Sequence, residues 1–128
     1  MATTSVLNDP VRVGDVVICE AVVRDNRTAG KPRVTPAAVS VEIYDPNNPT
    51  EPAQTLTAST ADVIIRLGEP LTENSANALL LEGEANDGAG SFIVEVRATE
   101  AGTWKIYGAD TAVSGAHTWQ FRALSKTS

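Results

Sequence analysis

Cysteine, histidine and aromatic side chains are scarce in this chain. Its 128 residues include one cysteine, Cys19, and one histidine, His117, and aromatics make up 5%. A lone cysteine excludes an internal disulfide, which fits synthesis in a reducing cytoplasm rather than a stapled secreted module. One Cys and one His cannot supply the four Cys/His ligands of a structural zinc site. GxSxG, HExxH, P-loop and GxGxxG patterns are all missing. With no nucleophile–base pair or ligand set in view, the expectation is a protein that is not an enzyme and takes no cofactor or metal. Basic residues are outnumbered, ten Lys and Arg against sixteen Asp and Glu, for a net charge of −6. That sign opposes general nucleic-acid binding, which needs clustered cations to neutralise phosphate. No apolar run approaches the roughly 20 residues that span a bilayer, so no membrane partner is expected. The opening residues carry neither the basic nor the apolar region of a secretory signal. A role outside the cell would then require exit by lysis or inside a larger particle.

What the chain does have is alternation. Apolar residues make up 42% and charged residues 20%, a globular balance, and the length suits one domain with its own core. Residues 87–107 form the organising stretch: a glycine turn, a run with Phe92, Val94 and Val96 on one face, a second turn at Gly102, then Trp104 and Ile106 on the inward face. The period of two marks both runs as half-buried strands and predicts a hairpin. Upstream, Val17, Cys19, Ala21 and Val23 share a face, as do Val39, Val41 and Ile43 before the turn formers of residues 45–49. Downstream, Trp119, Phe121 and Ala123 close the domain. Residues 51–84 read as short strands at 54–57 and 62–67, a helical turn or loop at 71–77 with Thr72 and Glu73 resembling a weak cap, and a strand or short helix at 77–84, too short a run for periodicity to arbitrate. The sum is an all-β, immunoglobulin-like antiparallel β-sandwich of roughly seven to nine short strands. Residues 11–124 make the domain, flanked by an extended N-terminal arm at 1–10 and a solvated tail at 125–128. Ten extended residues reach on the order of 33 Å, enough to order on a neighbouring subunit.

Two features point to partners. The second face of the 11–25 strand carries Val16, Ile18 and Val22, more apolar than a solvated face should be, so burial against another subunit is expected. The loop at 26–36 gathers four of the ten basic residues in or beside it, Arg24, Arg27, Lys31 and Arg33, a set suited to steering an acidic partner surface. Elsewhere the plain reading prevails. His117 is expected as a surface or edge residue, Cys19 as a small core residue, and Trp104 and Trp119 as core. Glu82, Glu84 and Asp87 are expected as a solvated acidic loop rather than a calcium site. The Asn26-Arg27-Thr28 sequon is expected to be a chance match. Tyr44 and Tyr107 are expected on outward faces, where they would suit a contact patch better than a sugar platform.

Gly14-Asp15, Asp25, Asp45-Pro46, Gly90 with Phe92, Gly102-Thr103-Trp104 and Phe121 occur in an order that resembles small immunoglobulin-like proteins and domains of tailed-phage virions. The resemblance leaves out residues 51–84, which are longer than its pattern and suggest an inserted hairpin. It implies a structural or accessory protein of a virion, made in the bacterial cytoplasm and decorating the capsid. Its partners would be other virion proteins, with self-association into a homo-oligomer as a further option. A neck- or tail-associated protein and a module binding host-surface glycan or protein are the alternatives.

Overall fold

The computed structural model describes residues 2–6, 10–25, 28–34, 39–110 and 116–125. Among them the chain forms nine strands and one short helix: β1 (Ala2–Val6), β2 (Val11–Arg12), β3 (Val16–Val22), β4 (Val39–Tyr44), β5 (Gln54–Leu56), β6 (Val63–Leu67), α1 (Glu73–Leu79), β7 (Ser91–Arg97), β8 (Gly102–Asp110) and β9 (Ala116–Leu124). They build two sheets. The larger has the order β1-β9-β8-β4-β5, with β2 also on β9, and the smaller has the order β3-β7-β6. Both β1 and β2 run parallel to β9, and the other pairings are antiparallel. The architecture is an all-β, two-sheet sandwich.

Alternation explains the core. Val17, Cys19 and Ala21 from β3, Phe92, Val94 and Val96 from β7, and Val63 from β6 turn inward from the small sheet. Val39, Val41 and Ile43, Trp104 and Ile106, and Trp119, Phe121 and Ala123 meet them from the large one. Trp104 stacks on Phe121 at 5.9 Å and 8°, and Phe92 meets Trp119 edge to face at 6.0 Å, arrangements that favour aromatic pairs beyond simple burial. The inward parity expected for Cys19 and both tryptophans holds.

The expected 87–107 hairpin is corrected. β7 pairs with β3 and β6, whereas β8 pairs with β4 and β9. Residues 98–101 therefore cross from one sheet to the other, keeping Ala98 buried on the way. Alternation fixes which face of a strand is apolar but not which strand lies beside it. The crossing is tied to the large sheet, since the Glu100 carbonyl accepts from Trp104 Nε1 at 3.0 Å and its carboxylate from Asn47 Nδ2 at 2.6 Å. Gly102, at φ +132°, lies so close to Pro46 that a Cβ there would sit 2.7 Å from the proline's own, so glycine is required twice over. Residues 51–84 are likewise not a hairpin, because β5 joins β4 and β6 joins β7. The helical turn is present as α1, with Thr72 as its N-cap accepting from Ser75 N–H. The arm expected at 1–10 is extended over Ala2–Val6, where it lies along β9 of its own chain.

Candidate interaction surface

The outer face of the small sheet divides into a covered half and an open half. Parity puts Val16, Ile18, Glu20 and Val22 outward on β3, with Arg97, Glu95, Ile93 and Ser91 opposite them on β7. Next across come Ile64 beside Glu95 and Arg66 beside Ile93 on β6.

The segment from Glu69 through α1 to Asp87 folds over one half. The Glu20 carboxylate, on a residue only 9% exposed, accepts three hydrogen bonds: from Thr72 N–H at 2.8 Å, Thr72 Oγ1 at 2.7 Å and Ser75 Oγ at 2.7 Å. A buried carboxylate is tolerable only when its oxygens are satisfied in this way. Ser91 Oγ donates to the Glu69 carbonyl, and Asn86 both accepts from Leu71 N–H and donates to its carbonyl. Beneath this cover Val22 is 6% exposed. The open half holds Val16 at 45% and Ile18 at 46%, with the half-buried Ile64 beside them. A shallow depression of about 110 Å³ runs between Val16, Ala61, Asp62, Ile64, Glu95 and Arg97. The charges around it are paired, Arg66 with Glu95 at 2.8 Å and Arg97 with Asp62 at 3.7 Å. The open half thus has an apolar centre and a polar, charge-paired rim.

Two of the four basic residues, Arg24 and Arg33, are engaged within the chain. Arg24 forms a fork on Glu84, at 2.5 and 3.0 Å, and also donates to the Leu79 and Lys31 carbonyls. Arg33 reaches Glu84 at 3.5 Å, Asp87 at 3.3 Å and the Ala85 carbonyl at 2.8 Å. These bonds anchor the covering segment from its far side. Glu84 and Asp87 are therefore counterparts of the basic loop, while Glu82 is exposed as a solvated acidic loop would have it. The Arg24 fork, the Leu81 N–H and the Arg33 charge bring the Glu84 pKa down to about 2 against burial. Lys31 is exposed, in a left-handed turn at φ 48°. Arg27 and Asn26 lie outside the described residues. Of the seven expected partner-binding residues, the structure leaves Val16 and Ile18 open together, with Lys31 exposed elsewhere. Val22, Arg24 and Arg33 serve the fold's own contacts.

His117 departs from the surface reading. It is half-buried near the start of β9, 5.9 Å from Phe92 and 6.0 Å from Trp119 between ring centres. Burial lowers its pKa, against a hydrogen bond to the Val22 backbone that raises it. Cys19 is fully buried, and burial with the Glu20 charge nearby pushes its thiol pKa up to about 12, the opposite of a reactive thiolate. On the outer face of the large sheet, Tyr44 lies under the Lys105 ammonium at 4.8 Å, and Tyr107 lies diagonally across the β4–β8 ladder from it. Both tyrosines are half-buried, and the face around them is otherwise polar. Among the described residues, no helix is long and apolar enough to cross a membrane. Comparison with protein families, curated proteins and solved structures returns no match.

Proposed function

We propose that this chain is a non-enzymatic structural or accessory protein of a tailed-phage virion. In this reading an immunoglobulin-like sandwich decorates or stabilises the capsid by docking on neighbouring subunits. The observation that carries the docking step is the open Val16–Ile18–Ile64 face, ringed by paired charges on a rigid sheet. Covering the open parts of Val16 and Ile18 is worth on the order of 1 kcal/mol each, a useful increment when many copies dock side by side. A protein that binds only the assembled particle stabilises it by mass action.

The immunoglobulin-like reading is supported by the strand order β1-β9-β8-β4-β5 over β3-β7-β6 and by the parallel pairing of the first strands on the last. The virion reading rests on the residues of the resemblance, which sit at turns and in the core. Asp15 accepts from Arg12 N–H and Asp45 from Asn47 N–H. Trp104 and Phe121 stack in the core. The test is sedimentation of the purified protein alone, then with capsids and, separately, tails of the phage that encodes it. Pelleting with capsids at a fixed number of copies supports decoration, and pelleting with tails moves the role to the neck or tail. A chain that ignores both particles overturns the proposal in favour of a host-surface module, for which Tyr44, Lys105 and Tyr107 are the contact residues to examine.

A further inference from the structure

The two edges of the small sheet differ. In an antiparallel ladder, alternate residues send their N–H and C=O groups to the partner strand and the rest send theirs the other way. On β3, the bonds from Val23 N–H to the Gly90 carbonyl and from Ala98 N–H to the Asp15 carbonyl give the odd-numbered residues to the β7 side. The even-numbered residues therefore direct theirs away from the sheet. Among the described residues, the backbone groups of Val16, Ile18 and Glu20 find no partner on that side. The β6 edge, by contrast, is closed by its own loop. Ser59 Oγ accepts from Ile65 N–H at 2.9 Å, and Thr60 exchanges hydrogen bonds with Val63 at 2.7 and 3.2 Å. Open edges are sites where another strand pairs, and proteins usually blunt them as β6 does. The open edge of β3 is also where the exposed Val16 and Ile18 lie.

We propose that β3 pairs antiparallel with β3 of a second copy, joining the two small sheets into one six-stranded sheet. The register places Val16 opposite Ile18 of the second copy, and Ile18 opposite its Val16. Both are hydrogen-bonding positions with Cα atoms about 5.5 Å apart, so the seam closes with roughly four backbone bonds. Three observations single out a second copy as the occupant. The edge is self-complementary under a two-fold axis, as an isologous interface requires. Charges alternate correctly across the seam: the row Asp62–Arg97–Val16 continues into Ile18–Glu95–Ile64 of the second copy, and the same holds in reverse. No like charges therefore meet across the seam in either row, and the ion pairs Arg97–Asp62 and Arg66–Glu95 stay within each copy. Finally, Glu20, held beneath the α1 segment, falls opposite Gly14, which has no side chain to meet that cover. Centring the axis on Ile18 would instead set Val16 against the Glu20 carboxylate.

This deepens the docking proposal and rests on its reading of the same face, because the pairing makes one doubled apolar strip from two Val16–Ile18–Ile64 patches. The experiment uses the full chain. Analytical ultracentrifugation from micromolar to millimolar concentration should show a reversible dimer. Ile18→Lys, at an exposed position, should weaken it at least tenfold with an unchanged melting temperature. Register is read by mixing Val16→Cys chains with Ile18→Cys chains and oxidising. Disulfides joining one variant to the other should exceed both like-with-like products, and Cys19 is too buried to compete. A monomer at millimolar concentration, a dimer indifferent to Ile18→Lys, or cross-links without this preference would each overturn the pairing. Particle binding is scored separately, so a monomer that still decorates capsids defeats only the pairing. A dimer that ignores every particle defeats only the virion role.

Discussion

Replacing Glu20 with Ala should release the segment that covers half of the small sheet. The wild-type carboxylate accepts from Thr72 N–H and from the Thr72 and Ser75 hydroxyls, all within 2.8 Å. Hydrogen bonds to a charged group contribute roughly 1.5–3 kcal/mol each, and removing the acceptor strands its donors. The hydroxyls can turn to water once the segment loosens, whereas the Thr72 N–H at the first turn of α1 cannot readily do so. A net loss of about 3 kcal/mol follows, less than the sum because the bonds fail together. For a domain of this size that corresponds to a fall of about 10 °C in melting temperature. Urea denaturation should show a lower midpoint with a nearly unchanged slope. Hydrogen exchange should accelerate in α1 and at Ile93, while Val94 and Ile106 keep their protection relative to global unfolding. Glu82→Ala, at an exposed position in the same segment, is the control and should stay within about 0.5 kcal/mol. A Glu20→Ala chain as stable as this control would refute the idea that the carboxylate latches the segment.

Acid should act through Glu84, whose folded pKa of about 2 lies below its ordinary value of 4.5. A depressed carboxylate contributes stability in full above its unfolded value and loses it as pH falls through the folded one. Urea midpoints measured from pH 5 down to pH 2 should therefore fall more steeply for wild type than for Glu84→Gln, and parallel curves would contradict the assignment. Gly88→Ala places a Cβ against the Gly68 carbonyl at a backbone φ of +83°. It should cost about 3 kcal/mol by calorimetry, and a neutral result would mean the two turns are not held together.

The parity of the core was legible because a strand alternates strictly: Val17, Cys19 and Ala21, Phe92, Val94 and Val96, and Trp104 with Ile106 all face where their spacing places them. Partnership was not legible. The four residues from Ala98 to Ala101 are short enough for a hairpin and long enough for a crossing between sheets, and only the competing claims of β3, β6, β4 and β9 decide between them. The interaction surface was half legible for a similar reason. Val16 and Ile18 stood out as apolar residues of outward parity, and they are open. Val22 has the same parity, but the cover over it comes from residues far along the chain. A signal for that cover existed in Leu71 and Leu79–Leu81, an apolar group whose run at 77–84 is too short for periodicity to tell strand from helix. The engagement of Arg24 and Arg33 was not legible because their shared carboxylate partner is Glu84, 60 positions from Arg24. Opposite charge in the 26–36 loop and the 82–87 turn was the clue, and it becomes decisive only when both are placed at the same end of the sandwich.

The proposed docking surface is the open face of the small sheet. Its most direct test is the occupancy of purified capsids by wild-type protein and by Ile18→Lys at matched concentrations, with Lys105→Ala on the opposite sheet as the comparison. Ile18→Lys should lose at least tenfold in occupancy, and Lys105→Ala should change little. Equal occupancy by wild type and Ile18→Lys, both folded, would contradict it.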